Sequence, residues 1–158
     1  MLIEHILHAK GHEVATIAPD AAVADALVML REHNVGALVV AVETDEEGDE
    51  DGDEAPAISG IISERDIVRA LADAVPDPAG ALQQPVSALM STDLTTCEPG
   101  ATVDDLMRTM TDRRIRHIPV LDQGRLAGIV SIGDVVKTRI DELTTEAETL
   151  HEYLSSGR

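Results

Sequence analysis

The sequence predicts an α+β fold built from two copies of one β-α-β-β-α unit. Three observations carry that prediction. The stretch GIISERDIVR, Gly60 to Arg69, returns as GIVSIGDVVK, Gly128 to Lys137, at an offset of 68. VATIAPDAAVADAL from Val14 lies over LTTCEPGATVDDLM from Leu94, and NVGALVV from Asn34 lies over RIRHIPV from Arg114, both at an offset of 80. Apolar periodicity gives the same order of strand-like and helix-like stretches in both copies. Because the offsets differ, the first copy holds 12 residues that the second lacks, in the acidic region between Val42 and Pro56.

Each copy opens with a short strand, Val14 to Ala18 and Leu94 to Cys97, closed by turns at Pro19 and at Pro99-Gly100. A helix follows. Val23, Ala26, Leu27 and Leu30 fall at i, i+3, i+4 and i+7, and Val103, Leu106, Met107 and Met110 repeat that spacing. Thr102 and Asp105 add a Thr-x-x-Asp start signal. Gly36 to Val42 and His117 to Leu121 read as buried strands, with Ala57 to Ile62 and Arg125 to Val130 as their hairpin partners. Asp122-Gln123-Gly124 is expected to form a three-residue turn in the second copy. Ile67, Val68 and Leu71, and likewise Val135, Val136 and Ile140, mark a closing amphipathic helix.

This order divides the chain into a helical lead-in at 1–12, a first repeat at 13–75 with an acidic insertion at 43–54, and a linker at 76–85. A second repeat at 86–143 and a C-terminal helix at 144–158 complete it. The linker carries Pro76, Pro78, Gly80 and Pro85, which argue against any regular element. The last segment, with Leu150, Tyr153 and Leu154 at helical spacing, is expected to be a short separate helix that needs a partner surface. A lone copy of about 60 residues buries too little of its surface to be more than marginally stable, so the two should depend on each other.

Composition removes several function classes. With no Phe or Trp and one Tyr, the core is aliphatic and offers no aromatic shelf for stacked bases. A net charge of −18 opposes nucleic acid and anionic membranes. The longest apolar run, Ala37 to Val42, is far below the roughly 20 residues that span a bilayer, and MLIEHILHAK lacks a basic n-region, so a cytoplasmic protein is expected. Cys97 is the one cysteine and reads as a small buried filler. No G-x-S-x-G elbow, Walker loop or H-E-x-x-H pattern occurs, and the histidines show no metal-ligand spacing.

The strongest chemical signal is the pair of strand-to-helix junctions, Ser63-Glu64-Arg65-Asp66 and Ser131-Ile132-Gly133-Asp134. A capping box explains Ser and Asp completely. A nucleotide site explains them as well: the helix N-terminus attracts phosphate, and the carboxylate accepts the hydroxyls of a ribose. Both readings stand. Arg113, Arg114, Arg116 and His117 form a local basic cluster where a helix hands over to a buried strand, and screening leaves such a cluster able to act against the distant acids. The same place in the first copy reads Gly36-Ala37, so two ligands should not be held with equal strength. The insertion, with nine carboxylates between Glu43 and Glu54, fails as an EF-hand because Ile58 falls where a bidentate Glu is needed. A self-repelling hairpin tip is expected instead.

Two β-α-β-β-α copies, each with a G-h-h-S-x-x-D junction, and RHIPV opening the middle strand of the second, resemble a cystathionine β-synthase (CBS) domain pair, the Bateman module. The resemblance runs from about Glu13 to Ile140 and points to the small stand-alone bacterial kind. It implies copies packed sheet to sheet with pseudo-twofold symmetry, leaving clefts for AMP, ADP, ATP, NAD or S-adenosylmethionine. The ribose-binding residues implied are Asp66 and Asp134, with Ser63 and Ser131 three residues earlier. Arg116 and His117 would meet phosphate, Gly36 and Ala37 would stand at the first cleft, and the strands around Thr16 and Thr96 would line the adenine pockets through their backbone. The resemblance also implies a homodimer. The expected function is a non-enzymatic, metal-independent sensor of energy or redox state, acting through dimer conformation or an unidentified protein target. The alternatives are a ligand-free interaction scaffold working through the acidic loop and C-terminal helix, and an enzyme of nucleotide metabolism.

Overall fold

The computed structural model describes residues 1–42 and 57–156; the acidic insertion at 43–54 lies outside the described residues. The element order is α1 (Ile3–Lys10), β1 (Thr16–Ile17), α2 (Val23–Glu32), β2 (Ala37–Val42), β3 (Ala57–Ser63), α3 (Glu64–Asp73) and α4 (Ala79–Leu82), followed by a 3-10 turn at Val86–Ala88. Then come α5 (Val103–Arg113), β4 (His117–Asp122), β5 (Arg125–Ser131) and α6 (Ile132–Ser156). The chain forms two compact units. One comprises the described residues of Met1–His12, Thr96–Asp122 and Ala127–Arg158, the other those of Glu13–Thr95 and Gln123–Leu126.

In the first repeat the sheet order is β1-β2-β3. β1 runs parallel to β2, with Thr16 opposite Val39 and Ile17 opposite Val40. β3 runs antiparallel to β2, pairing Ala37 with Ser63 and Val40 with Gly60, and the register then shifts so that Ala41 faces Ile58. Ser59 sits at that irregularity, and its hydroxyl donates to the Val40 carbonyl at 3.1 Å.

The second repeat pairs β4 with β5, but its opening strand shrinks to one parallel bridge between Cys97 and Val120. Proline explains the loss. Val39 N–H donates to the Ala15 carbonyl at 3.2 Å in the first repeat. The residue 80 positions on is Pro119, which has no N–H to give. The expected three-residue turn is a two-residue one: Gln123 and Gly124 both take positive φ, 50° and 82°, the pattern of a type I′ hairpin.

Each repeat's core is closed by a segment outside it, the second by the distant N-terminal helix and the first by the stretch that follows it. Ile3, Ile6 and Leu7 of α1 pack with Val103, Leu106, Met110, Ile118, Val120, Val130 and Val135 of the second repeat. Ala81 is buried too, and Leu82, Val86, Leu89 and Met90 pack into the first repeat's core with Ile17, Val23, Leu30, Leu38 and Ile62. Matching backbone clasps secure both segments. Ile3 N–H reaches the Ala101 carbonyl at 2.9 Å and Val103 N–H the Met1 carbonyl at 3.1 Å. Val23 N–H reaches the Gln84 carbonyl at 3.0 Å and Val86 N–H the Ala21 carbonyl at 2.8 Å.

Two expectations about helices need correction. The proline-rich linker does hold regular structure, because α4 fits between Pro78 and Pro85, where neither proline interrupts a helical hydrogen bond. The closing helix and the C-terminal helix are one, the 25-residue α6, since no proline and no glycine after Gly133 interrupts it. The equivalent α3 ends at Asp73, just ahead of Pro76, whose ring disfavours helical backbone at the residue before it.

Candidate functional site

Both junctions fold as capping boxes. At the start of α3 the Ser63 N–H and hydroxyl donate to Asp66 Oδ2 at 2.9 and 2.7 Å, and Asp66 N–H returns to Ser63 Oγ at 3.4 Å. At the start of α6 the Ser131 N–H and hydroxyl donate to Asp134 Oδ2, both at 2.8 Å, and Asp134 N–H returns to Ser131 Oγ at 3.3 Å. These bonds fix each carboxylate on its helix end and leave it half-buried. A carboxylate so held is preorganised for hydroxyl groups of a ligand.

The preceding strand of each repeat is tied to the same place. The Glu64 N–H donates to the Gly36 carbonyl at 3.1 Å, and the Ile132 N–H donates to the Arg116 carbonyl at 2.8 Å. Gly36 and Ala37 therefore lie against the start of α3, and Arg116 and His117 against the start of α6. Ile132 and Asp134 have both spent their N–H groups on protein acceptors, so the α6 terminus offers a phosphate less than a bare helix end would.

Added positive charge comes from a residue that the sequence did not single out. Lys10, at the end of α1, places Nζ 2.8 Å from Asp134 Oδ2 and 3.3 Å from the Ile129 carbonyl. In the first repeat the equivalent carbonyl, Ile61, accepts the Ser91 N–H at 2.9 Å instead. Lys10 stands 124 residues from Asp134 in the chain, so no local spacing could reveal it. The one clue was scarcity, since Lys10 and Lys137 are the only lysines.

Burial alone would raise the Asp134 carboxyl, but the Lys10 ammonium and the Ser131 N–H and hydroxyl outweigh it and hold it below the ordinary range. His117 moves down, first through burial and then through the Lys10 charge, with Asp134 pulling the other way and Arg116 adding to the fall. It is thus a neutral imidazole at pH 7. Lys10 and Arg116 are the permanent positive charges acting on this imidazole.

The first repeat is differently charged. Leu7 covers Gly128 as Met90 covers Gly60, and the offset of 83 that carries Leu7 to Met90 carries Lys10 to Asp93. Its first helical turn holds Arg65 where the second repeat has Gly133. Thr16 and Thr96 are exposed, Thr16 on β1 and Thr96 beside the Cys97 bridge; β1 is separated by β2 from the strand that delivers Ser63. Burial pushes the Cys97 thiol up to about 11, so it is an inert filler at neutral pH. A groove bordered by Met1, Glu142, Thr145, Glu146 and Leu150 runs beside α6 and contains none of the expected site residues. Among the described residues no cluster of three or more His, Cys, Asp or Glu could hold a metal, and no helix is long and apolar enough to cross a membrane.

Known proteins share this repeat and this fold. The family model of the CBS domain matches residues 9–73 and 86–141. The chain is 36% identical over 140 residues to the mitochondrial CBS domain-containing protein CBSX3 of Arabidopsis thaliana, covering 87% of this chain and 62% of that protein's length. It is 32% identical over 135 residues to the CBS domain-containing protein YhcV of Bacillus subtilis, covering 85% of this chain and 83% of the relative. Among solved structures, the CBS-domain protein ATU1752 of Agrobacterium tumefaciens is 42% identical with a TM-score of 0.73, covering 88% of this chain and 99% of that one. The CBS domain pair of MJ0100, in complex with 5′-methylthioadenosine and S-adenosyl-L-methionine, shares the fold at 24% identity and a TM-score of 0.69, over 90% and 98% of the two chains.

Proposed function

The chain belongs to the CBS-domain family, and from that premise we propose that it is a non-enzymatic regulatory module whose junction at Ser131-Asp134 binds an adenosine-containing ligand. AMP, ADP, ATP and NAD are the candidates, and the ligand's level is read out through the packing of a homodimer. Tandem CBS repeats are regulatory modules, and one protein of this fold carries adenosine compounds. The observation that carries the reading is the Ile132 N–H to Arg116 carbonyl bond at 2.8 Å. It brings a basic and a neutral hydrogen-bonding side chain to the helix end where Asp134 is already fixed.

In this reading Asp134 orients ribose hydroxyls, with Ser131 holding its rotamer. Arg116 and Lys10 favour phosphate, and His117 donates or accepts a hydrogen bond without adding charge. Thr96 lines the adenine side through its backbone. The first repeat, with Asp66, Ser63, Thr16, Gly36 and Ala37, offers a second, weaker site of different charge. Charge-assisted bonds contribute about 1.5 to 3 kcal/mol each, so three or four suffice for micromolar affinity, about −8 kcal/mol. Control of packing requires the ligand to prefer one of two dimer arrangements.

Calorimetry with AMP, ATP and NAD tests this. Binding by the wild type that falls at least tenfold in Asp134→Asn, a change that keeps a capping side chain, supports the reading. No heat with any of the three would indicate a scaffold without a nucleotide.

A further inference from the structure

α6 carries two apolar faces. One is used within its own unit, where Val135 is fully buried and Arg139 reaches Asp104 on α5 at 3.7 Å. The other is exposed. Val136, Ile140, Leu143, Ala147, Leu150 and Leu154 follow one another at intervals of four, three, four, three and four residues. Among them Val136 is 44% exposed and Leu154 74%. That is the 3.5-residue period of a coiled-coil seam, narrower than the face a helix turns to a globular core.

We propose that this seam is the interface with a second copy of the chain, packed as a parallel two-helix coiled coil. The proposal rests on the homodimeric reading above. Ile140, Ala147 and Leu154 take the a positions, and Val136, Leu143 and Leu150 the d positions; Ile at a with Leu at d favours two strands.

Charge selects both the occupant and the direction. Between Ile140 and Ser156 the helix has five carboxylates, Asp141, Glu142, Glu146, Glu148 and Glu152, and no Lys or Arg. Asp141, Glu148 and Glu152 fall at the outer b and f positions, and Glu142, at c, is neutralised within its own chain by the Met1 amino group at 2.6 Å and Arg139 at 3.0 Å, so the pairing of two such helices buries none of these charges in the seam. Only Glu146 flanks the seam, at g. In a parallel pair it faces His151 of the second copy at e, a hydrogen-bond donor, and symmetry makes that contact twice. An antiparallel pair would set Glu146 against Glu146 of the second copy and Lys137 against His151.

Light scattering coupled to gel filtration, across a dilution series, tests the seam with the double variant Leu143→Glu/Leu150→Glu. Both residues are exposed, so the circular dichroism spectrum and melting midpoint should not change. The expected result is a dimeric wild type and a variant whose dimer constant is weakened by roughly 100-fold or more. Leu150→Cys should cross-link to its symmetry mate under mild oxidation, and Glu148→Cys, on the outer face, should not. A variant that stays dimeric, or cross-linking only through Glu148→Cys, overturns the seam while leaving the dimer. A wild type that is monomeric throughout overturns both.

Discussion

The Lys10 ammonium lies 2.8 Å from Asp134 Oδ2, the same oxygen that accepts both the N–H and the hydroxyl of Ser131. One carboxylate oxygen thus joins the N-terminal helix, the end of β5 and the first turn of α6. In the folded chain Asp134 holds its proton less tightly than an ordinary carboxyl, so its contribution is fully present above the unfolded value near pH 4 and drains away as pH falls below it. Lys10→Met should raise the Asp134 midpoint in an NMR titration and shift the onset of acid unfolding to higher pH. Because Lys10 is about one-third exposed, the loss at pH 7 should stay within about 1 kcal/mol. An unchanged Asp134 midpoint would show that the pair has no energetic weight.

Arg116→Ala should separate ligands by charge. Removing one guanidinium costs a charge-assisted contact of about 1.5 to 3 kcal/mol, tenfold or more in affinity, for a ligand with phosphate and little for adenosine. The wild-type preference for ATP should shrink as salt is raised, and that of the variant should respond less. Equal losses for ATP and adenosine would place Arg116 outside the phosphate path.

Gly60 and Gly128 are repeat equivalents with unequal tolerance. A Cβ on Gly128 would come 2.5 Å from Leu7 Cδ2, the end of a movable side chain. On Gly60 it would meet Met90 Sδ at 2.6 Å and also the Ser91 carbonyl at 3.0 Å, which belongs to a paired backbone. Both alanine variants should be destabilised, within about 1 to 3 kcal/mol, and Gly60→Ala by more. Urea denaturation of the two variants side by side checks the order.

Gln123 holds φ of 50° at the first position of a two-residue hairpin, where asparagine is preferred. Gln123→Asn should stabilise the protein by about 0.5 kcal/mol and raise the melting midpoint by a few degrees. A lower midpoint would mean that the glutamine side chain holds the turn by a contact of its own.

Much of this was legible beforehand. The repeat announced the order of elements because each local signal, the Val23 and Val103 helical spacing or the Gly-led strands before Ser63 and Ser131, lies within a few residues of what it specifies. The junctions were found for the same reason, since a capping box spans four residues. Pro119 shortened the opening strand by a rule the sequence contains, but only the Val39 N–H to Ala15 carbonyl bond within the first repeat showed which bond the second lacks. α6 was misread as two helices because its polar stretch after Leu143 hid the continuity that the absence of breakers allowed.

What the sequence determined alone was the duplicated α+β plan, the two Ser-Asp helix starts and the imbalance of charge between the copies, because these follow from short-range periodicity and capping. The tertiary structure decided which segment completes which core. α1 closes the second repeat, through packing against apolar side chains at least 90 residues away along the chain, and the 81–90 segment closes the first repeat, which it follows. That exchange, driven by burial and not by any local preference, is what carries Lys10 to Asp134 and gives one junction a cation that the other lacks.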